Sequence, residues 1–144
     1  MSFYALPTMA ESVFSTYLSN NYSGSYNIGT AFSVTPYVLP LILIKATSFK
    51  EVEPGTGVFE GKLAIQVQSQ IDDVTDPIAV HDGTLATIAD LFDNQSAVLA
   101  AVNAPTGVFH LWSIQEAAYE QERQDRTLIS ELVYTINCQT LAVA

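Results

Sequence analysis

Residues 58–72 alternate so regularly that only one kind of element fits them. Phe59, Leu63, Ile65, Val67 and Ile71 occupy alternate positions, offset at Gly61, while Lys62, Gln66, Gln68 and Gln70 fall between them. Successive side chains of a strand point to opposite faces, so the run predicts a half-buried strand of an antiparallel sheet, apolar inward and polar outward.

The neighbouring segments extend that sheet. Residues 38–52 read as a preceding strand whose regular pairing begins after Pro40, because proline has no N–H to give to a ladder. Leu41, Ile42, Leu43 and Ile44 are apolar on both faces. Glu53-Pro54-Gly55-Thr56-Gly57 has turn chemistry and joins the two strands as a hairpin. A second strand pair is predicted at 108–114 and 128–138, the latter with Leu128, Leu132, Tyr134 and Ile136 on one face. The charged stretch between them, 116–125, reads as a connection.

Helical spacing appears in two places. Thr8 and Glu11 have the spacing of a capping box, followed by Met9, Val13, Phe14, Tyr17 and Leu18. Asn20, Asn21, Ser23, Gly24 and Ser25 end that helix in a polar loop. Asp82 is placed as the N-cap of a second helix with a Leu85, Ile88, Ala89 and Phe92 stripe, and Ser96 as the cap of a short piece over 97–102. The order helix, strand, strand, helix, strand, strand predicts one α+β domain over 1–144. Its sheet is four-stranded and mainly antiparallel, with two to three helices packed on one face.

Composition supports a folded chain. Of 144 residues, 49% are hydrophobic and 14% charged, the reverse of a disordered balance. A free surface usually carries about 25% charged residues, so partners are expected to cover part of this one. The net charge is −10, and Lys45, Lys50, Lys62, Arg123 and Arg126 form no basic cluster. That sign opposes nucleic-acid binding and docking on an anionic membrane. The first residues lack the basic and apolar regions of a signal peptide. The longest apolar stretch, 37–44, is eight residues and contains Pro40, against about 20 for a spanning helix. The expectation is a soluble protein made in the cytoplasm.

Few constellations offer chemistry. Asp72, Asp73, Asp76, His81 and Asp82 are the densest, and carboxylates with an imidazole suit a divalent cation in a small metal-assisted hydrolase. The spacing matches no EF-hand loop and no His-x-x-x-His pair, and a solvated loop before a helix N-terminus is the reading preferred. His81 and His110 are the only histidines, and no nucleophile elbow accompanies them. His110 alternates with apolar residues and is expected on the polar side of a strand. Cys138 reads as a small buried hydrophobe, and as the only cysteine it excludes an internal disulfide. Glu116, Glu120, Glu122 and Asp125 have the residue types of paired catalytic carboxylates, but lie among glutamines in a stretch with no pocket signature. Gly55-Thr56-Gly57 lacks the lysine of a phosphate loop. No cofactor, metal or catalytic residue is assigned.

In its sequence of elements the chain resembles the tail terminator (tail completion) proteins of long-tailed bacteriophages. The likeness is carried by the helix over 8–22 before the hairpin at Glu53-Pro54-Gly55, by Gly61-Lys62-Leu63-Ala64-Ile65-Gln66-Val67 running into an acidic loop and the helix with Leu85, Ile88 and Leu91, and by a last strand pair ending Tyr134-Thr135-Ile136-Asn137. The resemblance implies a virion protein of the tail or neck. It implies a homo-oligomeric ring, usually of six subunits, that caps the tail tube and joins it to the head connector. The tail tube protein and the neck protein are then its partners, and DNA passes through without specific binding. A head-completion or connector protein, or a tail-tube subunit, is the alternative within that class. The residues expected at subunit or channel contacts are Glu51, Glu53, Glu116, Glu120, Glu122 and Asp125, which belong to acidic segments between almost uncharged strands.

Overall fold

A computed structural model describes residues 6–30, 39–71, 77–103, 109–124 and 126–140. In chain order the elements are α1 (Leu6–Asn21), β1 (Asn27–Thr30), β2 (Leu41–Glu51), β3 (Val58–Gln70), α2 (Pro77–Asp93), α3 (Gln95–Asn103), β4 (Phe109–Gln124) and β5 (Thr127–Thr140). They form an α+β fold with a single five-stranded sheet in the order β1-β2-β3-β5-β4. The four expected strands are all present and pair antiparallel. The correction is β1, which adds a fifth strand parallel to β2 and makes the sheet mixed. Its four residues, Asn-Ile-Gly-Thr, are too short for any periodicity to show. Tertiary pairing makes them a strand, beginning where the Asn27 N–H donates to the Pro40 carbonyl at 3.0 Å.

The alternation in β3 has the predicted sense. Phe59, Gly61, Leu63, Ile65, Val67 and Ser69 all turn into the buried face. Leu63, Ile65 and Val67 are fully buried there, each contributing about 1.5–3 kcal/mol. In β5 the even positions from Leu128 to Cys138 do the same. Gly61 has a specific reason to lack a side chain. A β-bulge between Thr47 and Lys50 places Ser48 and Phe49 opposite it, and the Phe49 ring occupies the space, so that a Cβ on Gly61 would lie 2.5 Å from a ring carbon. Ser48 reaches this bulge with a φ of 61°, a region that L residues enter at a cost.

The helices cover one face of the sheet. α1 starts at Leu6 with Pro7 in its first turn, where a missing N–H breaks no helical bond. Thr8 therefore lies inside the helix, and the expected capping box with Glu11 does not form. The buried stripe is Leu6, Ala10, Phe14, Tyr17 and Leu18, with Met9 and Val13 at its margin. α2 begins five residues before the expected cap, so Asp82 is an exposed interior position. Its Ile88 and Phe92 are buried as expected, with Leu85 and Ala89 against them. α3 is capped by Asn94, whose Oδ1 accepts the Ala97 N–H at 3.4 Å, and not by Ser96. Phe92 joins the layers: its ring meets Tyr17 edge-on at 5.4 Å and lies 6.2 Å from Phe14 and 5.9 Å from Tyr134. The Tyr17 hydroxyl donates to the Leu91 carbonyl at 2.8 Å and the Tyr134 hydroxyl to Asp93 at 3.1 Å, which fixes the end of α2.

The largest correction concerns 116–125. The stretch read as a connection is the second half of β4, a 16-residue strand paired with β5 through Gln124. Its residues from Gln115 to Arg123 are exposed on both faces. A strand with two wet faces carries no apolar alternation, so nothing in its pattern separates it from a loop.

Candidate functional site

The acidic cluster around His81 does not come together as a ligand set. Asp72, Asp73 and Asp76 lie outside the described residues. Successive residues on a helix point about 100° apart, and α2 turns His81 fully into the core while Asp82 faces solvent. Among the described residues no three His, Cys, Asp or Glu side chains are placed to hold a metal ion.

His81 instead anchors a buried hydrogen-bonded chain that crosses the sheet. Its Nδ1 is 2.6 Å from Ser69 Oγ on β3, and its Nε2 is 2.8 Å from Ser130 Oγ on β5. Ser69 continues to the Tyr26 hydroxyl just before β1. At the other end the Tyr119 hydroxyl of β4 reaches Ser130 Oγ at 3.5 Å. Burial lowers the His81 pKa, with the Asp82 charge opposing in a smaller measure, so the ring is held neutral. A neutral imidazole has one donor and one acceptor, and hydroxyls match either.

The arrangement Ser130–His81–Ser69 has the connectivity of a nucleophile, a base and an orienter. Its chemistry differs in two respects. Ser130 is fully buried on the helix-covered face, out of reach of a substrate, and Ser69 carries no charge to stabilise an imidazolium. The chain ties α2 to the two central strands. A signal for it existed in the sequence: Ser69 and Ser130 are polar residues at buried phases of otherwise apolar alternations.

The expected contact residues divide between the two ends of the sheet. Glu51 and Glu53 belong to the β2–β3 hairpin, which lies at the end where β5 finishes. The Glu51 carboxylate is used by its own turn, accepting the Gly55 N–H at 3.0 Å and the Gly57 N–H at 3.1 Å. Both glycines have positive φ, 83° and 74°, as the tight turn requires. Glu120 and Glu122 approach the β4–β5 turn at the opposite end, about 40 Å away along 13 residues of β3. Glu116 lies midway along β4, and Asp125 lies outside the described residues.

The uncovered face of the sheet is a lattice of polar side chains bonded to each other. Gln68 Nε2 donates to Gln66 Oε1 at 3.0 Å, and Gln66 Nε2 to Glu131 Oε2 at 2.7 Å. Lys62 Nζ donates to Thr135 Oγ1 at 2.8 Å and Asn137 Nδ2 to Ser113 Oγ at 2.9 Å. Glu120 is the Cα partner of Glu131 across β4 and β5. Together with Gln66, Gln121, Glu122 and Ile129 they line a shallow groove of about 350 Å³. Further along this face, His110 is half-buried with its ring edge-on to Trp112 at 4.5 Å, and Trp112 is 55% exposed. Cys138 lies on the other face, buried, with its thiol pushed up to about 12 by desolvation, as expected of an unreactive core residue.

The strand edges are treated unequally. On β2 the Ala46 N–H, beyond the end of β1, is taken by Glu11 Oε2 of α1 at 3.0 Å. On the first half of β4, Asn103 of α3 pairs with Leu111 as a strand would. The Leu111 N–H donates to Asn103 Oδ1 at 2.8 Å, and Asn103 Nδ2 donates to the Leu111 carbonyl at 2.9 Å. The Ile114 N–H donates to Gln95 Oε1 at 3.2 Å. Beyond Ile114 the strand runs on to Gln124 with no further strand on its outer side among the described residues.

No helix of the described residues is long and apolar enough to cross a membrane. No family model matches the chain, and no curated protein matches its sequence. Among solved structures it is similar to a chain of one described as "Virion of native gene transfer agent (GTA) particle". The TM-score is 0.42 at 12% identity, covering 93% of this chain and 92% of that one.

Proposed function

We propose that this chain is a structural virion protein, a tail terminator whose copies close into a ring that caps the tail tube and joins it to the head connector. The observation that carries the reading is the one-sided sheet. Helices pack on one face, while the other presents bonded glutamines, Thr135 and Asn137 and runs out into an acidic strand with both faces wet. Polar, wet surfaces of this kind are common at interfaces between subunits that fold separately and then associate.

The charge supports the same reading. Each copy carries −10, and the described hairpin carboxylates belong to the two ends of the sheet. A ring of such subunits repels phosphates over a Debye length of about 8 Å at physiological salt, which keeps passing DNA from adhering. Contacts in a closed ring are head-to-tail, so each copy needs two different surfaces. Glu51, Glu53, Glu116, Glu120, Glu122 and Asp125 are the proposed contact or channel residues.

The test is the mass of the protein in solution, alone and with purified tail tubes. A single closed ring, or capture at tube ends, is expected. A chain that stays monomeric and ignores both tubes and connectors sinks the proposal. Negative-stain microscopy separates a terminator, which stops at one ring, from a tube subunit, which polymerises.

A further inference from the structure

We infer that the second half of β4 is a docking edge that takes up a basic, extended segment of a partner protein as an additional strand beside residues 115–123. The inference deepens the assembly reading by giving the chemistry of one partner.

The first ground is the contrast between edges. An unpaired strand edge invites any other strand to pair with it, and proteins ordinarily block such edges. Here the blocking is built from named side chains: Glu11 on β2, and Asn103 and Gln95 on the first half of β4. At Glu116–Ala118 a second bulge resets the strand, and from there no further strand lies on its outer side among the described residues. Its residues stay exposed on both faces while those of β5 beside it do not.

The second ground is charge. Glu120 lies on the open face of this edge with Glu131 behind it, while Glu116 and Arg123, whose β5 partners are the buried Tyr134 and Leu128, lie on the other face. A strand laid along the edge places its alternate side chains against these carboxylates, so basic residues there are attracted and acidic ones repelled. A second copy of the chain fits poorly. Its own β4 edge brings glutamates against glutamates, and its other edge strand, β1, is Asn-Ile-Gly-Thr and carries no basic residue to meet Glu120. Tyr119, 46% exposed in the middle of the segment, offers the incoming strand an apolar contact with a hydroxyl held toward Ser130.

The experiment uses the full chain and two synthetic peptides of about ten residues. One alternates lysine with valine and threonine, and the other has glutamate in place of each lysine. Fluorescence anisotropy gives affinity, and amide hydrogen exchange locates the contact. The lysine peptide is expected to bind with a Kd below about 100 μM at low salt, to weaken as salt rises, and to protect amides within 115–123. The glutamate peptide is expected not to bind. The double variant E120K/E131K, which reverses both carboxylates of the open face, should exchange the two preferences. Q121P, at a residue whose N–H faces away from β5 in this register, should abolish the protection while its circular dichroism stays that of the parent. The inference is overturned if the lysine peptide fails to bind, if both peptides bind alike, or if protection appears elsewhere. It is also overturned if duplex DNA, offered as a competitor, proves the better ligand. The mass measurement keeps the two readings apart. Ring assembly without peptide binding removes the docking edge alone, and a monomer that binds the lysine peptide removes the ring alone.

Discussion

The two halves of β4 have the same partner strand and opposite treatment. From Phe109 to Ile114 the strand is buried on one face, and its outer backbone groups at Leu111 and Ile114 are met by side chains of α3. From Gln115 to Arg123 both faces are wet and no strand lies beyond the edge among the described residues. The difference arises from where α3 begins, since Gln95 at its start meets Ile114 and Asn103 at its end meets Leu111. Nine residues of helix span about 14 Å, enough to reach two sites on the strand and no more. Stability and availability are thus divided along one strand. The first half holds the layers together, and the second, exposed from Gln115 to Arg123, buries no side chain in the core.

The largest effect is expected at the plug. N103L removes two hydrogen bonds to Leu111 and leaves its N–H and carbonyl, both partly buried, without partners. The expected loss is about 2–4 kcal/mol in urea unfolding, whereas E120A should change stability by no more than about 0.5 kcal/mol. Comparable losses at the two positions break the comparison. On the other edge, E11A strands the Ala46 N–H and is expected to cost about 1–3 kcal/mol. E11Q keeps a carbonyl acceptor and should lose less. Glu11 is 1% exposed and its Oε1 has no partner among the described residues, so a neutral amide is the cheaper group to bury there.

These plugs show why part of the fold escapes a reading of the sequence. Alternation made β3 and β5 legible because each is buried on one face along most of its length. The outer half of β4 was not, because an edge strand with two wet faces has the composition of a loop. Thr8 and Glu11 have the spacing of a cap, but spacing does not report that Glu11 is buried and bonded to another element. His81 was grouped with its acidic sequence neighbours. Once α2 is started at Pro77, however, His81 falls on the stripe of Leu85, Ile88 and Phe92, at intervals of four, seven and eleven residues. The expected contact glutamates were visible as charges, but their division between opposite ends of the sheet follows from the strand order, which no local pattern encodes.

A smaller effect tests the hydrogen-bonded chain that runs from Tyr119 of the open half through Ser130 to the buried His81. Burial lowers the folded-state pKa of His81 below its ordinary value of 6.5. The unfolded chain therefore takes up a proton first as pH falls, and the stability contributed by the neutral ring is complete above about 6.5 and lost as pH drops through the folded pKa. The urea midpoint of the parent should decline between about pH 7 and 5. H81N should start lower and decline less over the same interval. A parent midpoint that is flat there breaks the proposed link between the imidazole and the sheet.

The smallest expected change carries the sharpest contrast. Glu120 and Glu131 are direct Cα partners on the open face of β4 and β5, and like charges in that relation are mildly destabilising. Gln66 donates to Glu131 and relieves only one member of the pair. E120K turns the repulsion into an attraction across exposed strands and should raise stability by about 0.2–1 kcal/mol, detectable as a small upward shift in the urea midpoint that fades with added salt. The same substitution should weaken binding of the lysine peptide. A residue whose replacement improves the fold and impairs the docking belongs to the half of β4 that serves a partner. If E120K destabilises the chain instead, the glutamate pair contributes to the fold, and the division of the strand into a structural half and an open half fails at its most exposed point.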